Sequence, residues 1–516
     1  MNFKEPVIHQ PVSQSPVLGR RNFLQAGTAF GGAAALGFGL GISPDKAQAR
    51  PAFTSRFNLE ALGRSMQGRL ILPGEMGYHM AAFPNNARWA GVMPKAIAMC
   101  AGDADVQLCI RWARDHSETF AIRCGGHSYA GFSTTTGLLI NVKAMNKIKM
   151  DLSQGIAVVQ AGATNQHIAN ALSGTDFAIP SGRCPTVGTS GLVLGGGWGF
   201  AATHSGLTCD SLRESTVVLA DTRVVTATSG GDTDDLFWAL RGGGGGNFGV
   251  NTSFTFNLQD VKKEVTVFNI LWPGEKQIEL LLMLQKIQNT IGQKISTRTK
   301  AYPEKAGPRP TRDQLQVNTL GQFWGSKEEA LEALSPAISL LKPLNADIRQ
   351  MKYWQARDYF ITDDPNGMYD LRSSYVGESL SAEGLETMLQ WMMKWPGGAL
   401  LPENMGILFA IGGKVREVKQ NATAYVHRNA NYIFEMECAW APVDKPEVVR
   451  AQQDWLGSYF EAMRPHVLQQ SYVNFPNRDQ QNWARAYYGS NLDRLSSIKR
   501  KYDPHQVFKF AQSIPI

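Results

Sequence analysis

The chain has 516 residues, of which 43% are hydrophobic and 18% are charged. This length and composition exclude a disordered protein and favour two domains with sizeable cores. The net charge of +7 is not gathered in a Lys/Arg-rich block with interleaved aromatic residues, so no nucleic-acid partner is expected. The six cysteines, at positions 100, 109, 124, 184, 209 and 438, lack Cys-x-x-Cys spacing. We therefore expect no metal site, and disulfide pairing stays open.

Residues 1–49 have the pattern of a twin-arginine export signal. Arg20 and Arg21 precede an apolar, glycine-rich stretch at 23–42, and Ala-Gln-Ala at 47–49 offers a cleavage site. The stretch is also long enough for an uncleaved membrane anchor, although its glycines make it only weakly hydrophobic. Cleavage is the favoured alternative. It predicts a periplasmic or secreted protein that meets the twin-arginine translocase during export and keeps no stable membrane anchor.

The segment 50–260 alternates between helix and strand patterns. Apolar residues three and four positions apart predict a helix at 104–116, and a second helix is predicted at 164–172. Short strands are predicted at 120–123, 138–142 and 156–160, followed by a tight hairpin at 217–225. This alternation is typical of an α+β cofactor domain.

Two glycine-rich loops in this segment indicate a cofactor. The first, at 123–133, contains His127, and the second, at 180–199, contains Cys184. Glycine allows the main chain to take positive φ and to bring N–H groups against a pyrophosphate, while serine hydroxyls add donors. Arg183 beside Cys184 favours the thiolate form. Either loop alone would more often be an ordinary turn or a buried thiol, but together they predict a site for a flat, phosphate-bearing cofactor.

Both loops resemble those of FAD-linked oxidases of the vanillyl-alcohol oxidase type, which have a PCMH-type FAD-binding domain. The patterns R-x-G-G-H-S and G-x-C-x-x-V-G are similar to the branch with berberine-bridge enzyme and the bicovalent oligosaccharide oxidases. The resemblance implies bicovalent FAD, with His127 bonded to the flavin 8α-methyl carbon and Cys184 to ring carbon 6. Cys124 is interpreted as a packing residue. Further FAD contacts are expected at Arg123, Gly125, Gly126, Ser128, Gly131, Phe132, Ser133, Gly182, Thr186, Val187, Gly188, Gly191, Gly195, Gly196, Gly197, Trp198 and Gly199.

Five consecutive glycines at 242–246 have two interpretations. In isolation such a run is typical of a flexible linker. Its flanks, however, resemble the segment of the same family that closes the FAD domain, which implies close packing and FAD contacts at Gly249 and Val250. A dinucleotide-binding fold with NAD is not expected, because no G-x-G-x-x-G connects a strand to a helix.

The remainder of the chain is predicted to form a substrate domain at 261–465 and a closing segment at 466–516. Helices are predicted at 277–291, 327–341 and 385–395, and strands at 315–319, 405–411 and 432–440 of an antiparallel sheet. The closing segment resembles the C-terminal module of the berberine-bridge branch. This implies that it packs on the FAD domain and brings Tyr472 and Asn474 to the cofactor.

Oxidation of an alcohol needs a base for the hydroxyl proton, and two residues compete for that role. The resemblance implies Tyr472 by analogy with sugar oxidases and Glu435 by analogy with berberine-bridge enzyme. In a strand, Glu435 projects away from Phe434 and Met436, so solvent exposure is an equal alternative. A tyrosine base needs a neighbouring charge to lower its pKa from about 10. Lys414 and Arg428 are the candidates for that charge.

The resulting hypothesis is an exported oxidase that removes hydride from a C–H next to oxygen in a sugar or other polar alcohol. Flavin N5 would accept the hydride, and dioxygen would be reduced to hydrogen peroxide. The alternatives are oxidation of an aromatic metabolite or alkaloid amine, a dehydrogenase that reduces a quinone or redox protein, and a binding protein without chemistry. Five aromatic residues have two interpretations, since they either line a substrate groove by stacking or pack in the core. They are Trp324, Tyr353, Trp354, Tyr375 and Trp391.

Overall fold

The computed structural model describes residues 52–361 and 367–516, and in the first of these ranges the side chains from residue 58 onward. The predicted export signal at 1–49 lies outside the described residues. Within them, no helix combines the length and the apolar character that a membrane crossing requires. Residues 55–516 form one compact unit.

The first half of the described chain forms two main sheets with short helices around them. Its helices are α1 (Ala52–Ser65), α2 (Tyr78–Ala82), α3 (Asp103–Asp115), α4 (Asn165–Leu172), α5 (Thr189–Leu194), α6 (Ala202–Ser205) and α7 (Asp234–Ala239). Its strands are β1 (Arg69–Ile71), β2 (Ala96–Met99), β3 (Phe120–Arg123), β4 (Leu138–Asn141), β5 (Ile148–Asp151), β6 (Ile156–Gln160), β7 (Phe177–Ala178), β8 (Leu212–Val218), β9 (Val224–Thr228), β10 (Val250–Asn257) and β11 (Gln259–Asp260). A four-stranded sheet has the order β1-β2-β4-β3, and a five-stranded antiparallel sheet has the order β5-β6-β10-β8-β9.

The second half is built on one seven-stranded antiparallel sheet, in the order β15-β12-β14-β13-β17-β18-β16. Its strands are β12 (Val265–Trp272), β13 (Ile295–Pro303), β14 (Leu315–Phe323), β15 (Asn345–Met351), β16 (Met368–Val376), β17 (Gly406–Ala410) and β18 (Tyr432–Trp440). The helices are α8 (Gln277–Ile291), α9 (Lys327–Leu340), α10 (Tyr353–Tyr359), α11 (Ala382–Met393), α12 (Lys414–Glu417), α13 (Pro446–Met463), α14 (Trp483–Tyr488) and α15 (Leu492–Tyr502). The predicted combination of α+β cofactor region and antiparallel sheet is thus present.

The two faces of this large sheet belong to different cores. Phe434 and Met436 on β18 pack with residues of the helices, among them Leu281 and Leu389. Ile433, one residue away, belongs to the core of the first half instead. Because side chains alternate between faces along a strand, one face of the sheet is covered by helices and the other faces the first half of the chain. We call the second of these the inner face.

Predicted and observed elements differ mainly at their ends. The helix predicted at 385–395 begins at Ala382, because the Ser381 hydroxyl accepts a hydrogen bond from the N–H of Gly384 and caps it. The strand predicted at 315–319 continues to Phe323, because β14 pairs along its whole length with β13. The strand β13 was not predicted, although it supplies part of the candidate site.

The C-terminal segment returns to the first half of the chain, as predicted. Leu495 and Ile498 of α15 lie in the core of that half. The Lys499 ammonium is fully buried there, where it donates to the carboxylate of Asp503 at 2.5 Å and to the carbonyl of Asn247 at 2.6 Å. The buried Lys499 ammonium, which donates to both Asp503 and Asn247, fixes the C-terminal segment against the residues that directly follow the glycine run at 242–246.

Candidate functional site

The two predicted glycine loops are in direct contact. A Cβ atom on Gly125 would overlap with the backbone of Gly188, and one on Gly188 would overlap with the Cys124 sulfur. Only glycine therefore allows the loops to cross at this distance. Cys124 packs beneath the crossing, and burial raises its pKa to about 11, which agrees with its interpretation as a packing residue.

The crossing brings the His127 and Cys184 loops together. The Nε2 atom of His127 lies 2.8 Å from the hydroxyl of Thr186, two residues beyond Cys184. Asn165, at the start of α4, donates from Nδ2 to the Cys184 carbonyl at 3.0 Å and from its N–H to the Val187 carbonyl. Both His127 and Cys184 are partly exposed. The His127 imidazole thus lies against the loop that carries the Cys184 thiol.

Several predicted contact residues position the first loop. The Arg123 guanidinium donates to the main-chain carbonyls of Ser133 and Ala82, at 2.9 and 2.7 Å, and so it anchors the loop from behind. The Ser128 hydroxyl accepts from the N–H of Phe132, whose ring packs on Phe510. Gly126 and Gly131 take positive φ of 76° within this turn. These interactions shape the loop around His127.

The second loop is held by the C-terminal segment. The Tyr472 hydroxyl accepts hydrogen bonds from the N–H of Gly197 at 2.9 Å and from Nδ2 of Asn474 at 3.1 Å. Asn474 also donates to the carbonyl of Leu192, and Trp198 donates from Nε1 to the carbonyl of Ala410. Tyr472 and Asn474 therefore lie against the glycine loop, where they fix its backbone.

The other predicted contact residues divide into a close-packed and an exposed group. Gly199 packs on the carbonyl of Ser181. Gly249 directly precedes β10 and packs on Val217 of β8, and Val250, the first residue of β10, is buried. Gly191 is exposed on α5 with open space around its Cα. The close-packed group also includes Gly182, Gly195 and Gly196, because a Cβ atom on each would lie 3.0 Å from Asn165, overlap with Asn474 and lie 3.0 Å from Tyr425, respectively. The carbonyl of Val187 accepts from the N–H of Asn165.

Polar atoms without partners line the same region. The hydroxyls of Ser133 and Thr189 and the Oδ1 atom of Asn165 are buried and have no hydrogen-bond partner among the described residues. Buried polar atoms of this kind normally find a partner, so a bound group with phosphate and ring heteroatoms would satisfy them. Together with the glycine crossing, an imidazole and a thiol, these two hydroxyl donors and this amide acceptor fit FAD.

The inner face of the large sheet supplies the charged residues of the site. Glu435 on β18 is directly opposite Ser373 on β16 and Ile407 on β17, which in turn is opposite Lys300 on β13. Directly paired residues share a face, and Arg298 lies two residues along β13 from Lys300 on that same face. Glu435 is only 5% exposed, so the alternative in which it faces solvent is wrong.

The structure adds Tyr129 to the site. Its ring lies 5.4 Å from those of Tyr369 and Phe475, measured between centroids. Burial raises the pKa of Tyr129 well above its ordinary value, and the carboxylate of Glu435 and the Cys184 sulfur raise it further. Tyr129 therefore connects the histidine loop, the thiol and the inner face. Its position two residues after His127 is the sequence signal for it.

Arg298 is a second residue that the sequence motifs did not identify. Burial lowers its pKa to about 10, Arg183 lowers it further, and Glu435 and Cys184 act in the opposite direction. Since Cys184 and Glu435 both act on Tyr129 and on Arg298, these groups share one electrostatic environment. Alternation of Arg298 and Lys300 in a Ser- and Thr-rich segment is a weak signal of a half-polar strand.

Tyr472 does not have the environment of a base. Burial raises its pKa to about 12, despite the donors that lower it. The two cations expected to lower it are paired elsewhere. Lys414 bonds to Glu417 at 2.6 Å on the surface, and buried Arg428 bonds to Asp210 at 2.7 Å. The expectation that either one lowers the pKa of Tyr472 is therefore wrong.

Comparison with known proteins identifies the family. Residues 94–228 match the family model described as "FAD binding domain", and residues 471–515 match the model "Berberine and berberine like". An FAD-linked oxidoreductase of Bacillus subtilis, YvdP, is 32% identical over 457 residues, which cover 87% of this chain and 98% of the relative. The chain belongs to the berberine bridge enzyme-like family of FAD-linked oxidoreductases.

Further relatives of this family come from plants. Berberine bridge enzyme-like D-1 of Nicotiana tabacum is 27% identical and covers 86% of this chain and 87% of its own length. The solved structure of Physcomitrella patens BBE-like 1 superposes with a TM-score of 0.79 at 26% identity, covering 89% of this chain and 99% of that one. The predicted FAD-binding fold and oxidoreductase class are confirmed.

In this family member the glycine run at 242–246 is part of a packed core. A Cβ atom on Gly242, whose φ is 118°, would overlap with the main chain of Tyr425. Asn247 donates from Nδ2 to the carbonyl of Gly243 at 3.0 Å and accepts from the N–H of Ile514. The close-packing interpretation is therefore correct, and the linker interpretation is not.

The five aromatic residues considered for a substrate groove mostly pack against protein. Trp324 stacks on His204 at 4.4 Å, and Trp391 stacks on Tyr459. Tyr375 is fully buried, with its hydroxyl 2.9 Å from that of Tyr425. The last two, Tyr353 and Trp354, form an edge contact with each other. The ring that interacts with Cys184 is instead that of Tyr129, which contacts the rings of Tyr369 and Phe475.

The six cysteines all lie among the described residues, and none of them forms a disulfide bond. Among residues 52–361 and 367–516, no group of three His, Cys, Asp or Glu side chains has the arrangement of a metal site.

Proposed function

We propose that this chain is an exported oxidase with FAD attached through both His127 and Cys184, and that it oxidises a C–H next to oxygen in a sugar or other polar alcohol. Its substrates are a small molecule and dioxygen, and its products are the carbonyl compound or lactone and hydrogen peroxide. The observation that carries the proposal is the contact between the two loops, in which the His127 imidazole lies 2.8 Å from the Thr186 hydroxyl, two residues beyond Cys184.

Two covalent attachments are supported by the chemistry of both side chains. His127 and Cys184 are partly exposed, as an attachment requires. Cys124 is partly exposed as well, but its sulfur packs against Gly188 at the loop crossing, and burial raises its pKa to about 11, which disfavours the thiolate form. Arg183 precedes Cys184 directly, and a neighbouring cation favours the nucleophilic thiolate. When bound, FAD supplies the acceptor for the two electrons that leave the substrate carbon.

The base that we propose is Glu435. Its carboxylate is buried on the inner face and acts electrostatically on Tyr129 and Arg298, which share their environment with Cys184. A carboxylate in this position accepts the proton of the substrate hydroxyl. Tyr129 and Tyr369 bound the same space and offer hydroxyls that orient the substrate. Tyr472 has the supporting role of holding the glycine loop.

Export rests on the sequence of residues 1–49. An Arg-Arg pair, a weakly apolar stretch and a small-residue cleavage site support passage through the twin-arginine translocase, followed by a periplasmic or secreted location. This route carries folded proteins, which suits a chain that acquires FAD before it crosses the membrane. Fractionation of cells that express the full chain, with Arg20→Lys/Arg21→Lys as the control, tests this step.

The two remaining interpretations of the chemistry predict different observations. A protonated alkaloid amine is disfavoured by the guanidinium of Arg298, which interacts with Glu435 and with a second guanidinium, that of Arg183. A dehydrogenase that reduces a quinone would form little peroxide in air. Screening sugars, alcohols and amines for stoichiometric peroxide, one per dioxygen consumed, distinguishes all three.

Mass spectrometry of the denatured protein tests the attachments. His127→Ala and Cys184→Ala are each expected to keep an FAD adduct through the remaining residue, and the double variant is expected to lose it on acid precipitation. Cys124→Ala is the matched thiol control and should keep both attachments. A double variant that retains the adduct, or a wild-type chain without one, would contradict the assignment.

A further inference from the structure

Arg298 is a buried cation whose polar atoms are not all satisfied by the protein. It is 7% exposed, and its Nε atom has no hydrogen-bond partner among the described residues. A buried guanidinium with an unmade hydrogen bond is costly unless another group supplies the acceptor. The residue lies on the inner face, opposite Phe409 of β17, and Cys184 acts on it electrostatically, so Arg298 is near the loop that carries Cys184.

The charges around Arg298 favour the binding of a further anion. Arg183 is a second guanidinium in the same environment, and Lys300 is a third cation on the same strand. Of the carboxylates that act on Arg298, Glu403 is paired with Lys300 at 2.8 Å and is more than half exposed. Glu435 is the other, and in the proposed function it receives a proton during the reaction. Among the described residues, no acceptor therefore satisfies the Nε atom of Arg298.

We infer that Arg298, together with Arg183, forms a carboxylate-binding subsite, and that the preferred substrate carries a carboxylate in addition to the alcohol that is oxidised. The inference rests on the proposed function, because it names the substrate class of that same site. A uronic acid or another polyhydroxy acid has this chemistry. The planar guanidinium fork matches the two oxygens of a carboxylate, which a lysine does not.

The spacing of the residues agrees with a substrate of this size. Arg298 and Glu435 lie on strands separated by β17, which is two strand spacings or about 10 Å across the sheet. Both side chains project from the inner face. A carboxylate held by Arg298 thus places a carbinol several atoms away near Glu435, as in a monosaccharide acid.

Matched substrates on the FAD-loaded protein test the subsite. The kcat/KM of the wild-type chain is measured for D-glucuronate against D-glucose and for D-galacturonate against D-galactose. We expect at least a tenfold preference for the acid of one pair. Arg298→Gln should lower kcat/KM for that acid by 10- to 100-fold, mainly through KM, and for the neutral sugar by less than threefold. Arg298→Lys should be intermediate. Arg349→Gln, which removes an exposed guanidinium, is the matched control and should change neither value.

A binding measurement separates failure of the subsite from failure of the proposed function. The change in flavin absorbance is titrated with benzoate and with the neutral benzamide, neither of which offers an alcohol to oxidise. Tighter binding of benzoate that is lost in Arg298→Gln supports the subsite even if no sugar or alcohol is oxidised, in which case only the proposed reaction is wrong. Equal binding of the two probes by the wild-type chain, or equal losses on acid and neutral substrates in Arg298→Gln, overturns the subsite. Oxidation of neutral sugars would then still support the proposed function.

Discussion

The two faces of the seven-stranded sheet have opposite chemistry, although the same strands supply both. On β18, Phe434 and Met436 pack against the helices, while Glu435 lies between them in sequence and points to the other side. Both faces are buried. The difference therefore arises from what covers each face, which is an apolar layer of helices on one side and the glycine loops of the cofactor region on the other.

Burial alone therefore does not distinguish the hydrophobic core from the functional site. On the helix face, burial is matched by apolar contacts, which stabilise the fold. On the inner face, burial encloses Arg298 and Glu435 and alters the pKa values of Arg298 and Tyr129. Groups with perturbed pKa values in a cleft are typical of functional sites. Three substitutions test this division, namely Glu435→Gln and Phe434→Ala on the sheet and His427→Gln next to it.

The largest expected effect is on turnover, from Glu435→Gln. Loss of the base should lower kcat by about 10²- to 10⁴-fold. The free energy of unfolding and the FAD content should change little, because the amide keeps the shape of the carboxylate. Steady-state kinetics on a substrate found by the peroxide screen, with thermal unfolding in parallel, provides the measurement.

Tyr472→Phe is the matched control for this change. Its hydroxyl accepts two N–H hydrogen bonds, so removing it should cost about 1 to 3 kcal/mol of stability and less than tenfold in kcat. If Tyr472→Phe lost turnover as severely as we expect for Glu435→Gln, with its FAD intact, the assignment of the base would have to be reversed.

The next effect is on stability, from Phe434→Ala on the helix face. The side chain is fully buried in the second core, and its truncation should lower the free energy of unfolding by about 3 to 5 kcal/mol. Activity per folded, FAD-loaded molecule should stay near that of the wild type. Urea unfolding measures the loss, and Phe434→Leu should show a smaller one. A large loss of kcat with unchanged stability would mean that the two faces are not functionally separate.

The smallest effect is a pH dependence at His427, whose ring stacks on Tyr375 of the inner face. Burial lowers the pKa of His427 to about 4, against about 6.5 in an unfolded chain. Between these values the unfolded chain binds a proton that the folded one does not, so stability falls as the pH drops from about 6.5 towards 4. The cost at pH 5 is about 2 kcal/mol.

His427→Gln should remove this component. Relative to the wild type, the variant should lose about 2 kcal/mol less of its unfolding free energy between pH 8 and pH 5. Urea unfolding at both pH values measures the difference, and pH 8 serves as the reference because the wild-type imidazole is neutral in both states there. Parallel pH slopes in the two proteins would show that His427 is not held neutral.

Much of the fold is predictable from local patterns. Helix α8 and strands β3, β6 and β18 were predicted with the bounds that the structure gives, because each has a clear hydrophobic period between turn residues. The strand β13 escaped prediction, because its apolar positions are few and its alternation of Thr, Arg and Lys becomes meaningful only against β14 and β17. Helix starts were shifted where a cap such as Ser381 was not recognised.

Local sequence is enough to identify the cofactor loops. Gly125, His127, Cys184 and Gly188 lie in short motifs, and the requirement for glycine is a property of the local backbone, so these motifs predict a site for a flat, phosphate-bearing cofactor, and their resemblance to the loops of the family implies FAD. Which distant side chains complete the site depends on tertiary packing. This packing buries Glu435, gives Tyr472 a supporting role behind the glycine loop, and places Arg298 and Tyr129 in the electrostatic environment of Cys184. The reason is that burial and electrostatic environment depend on sheet register and on the layer that covers each face, which no local pattern encodes.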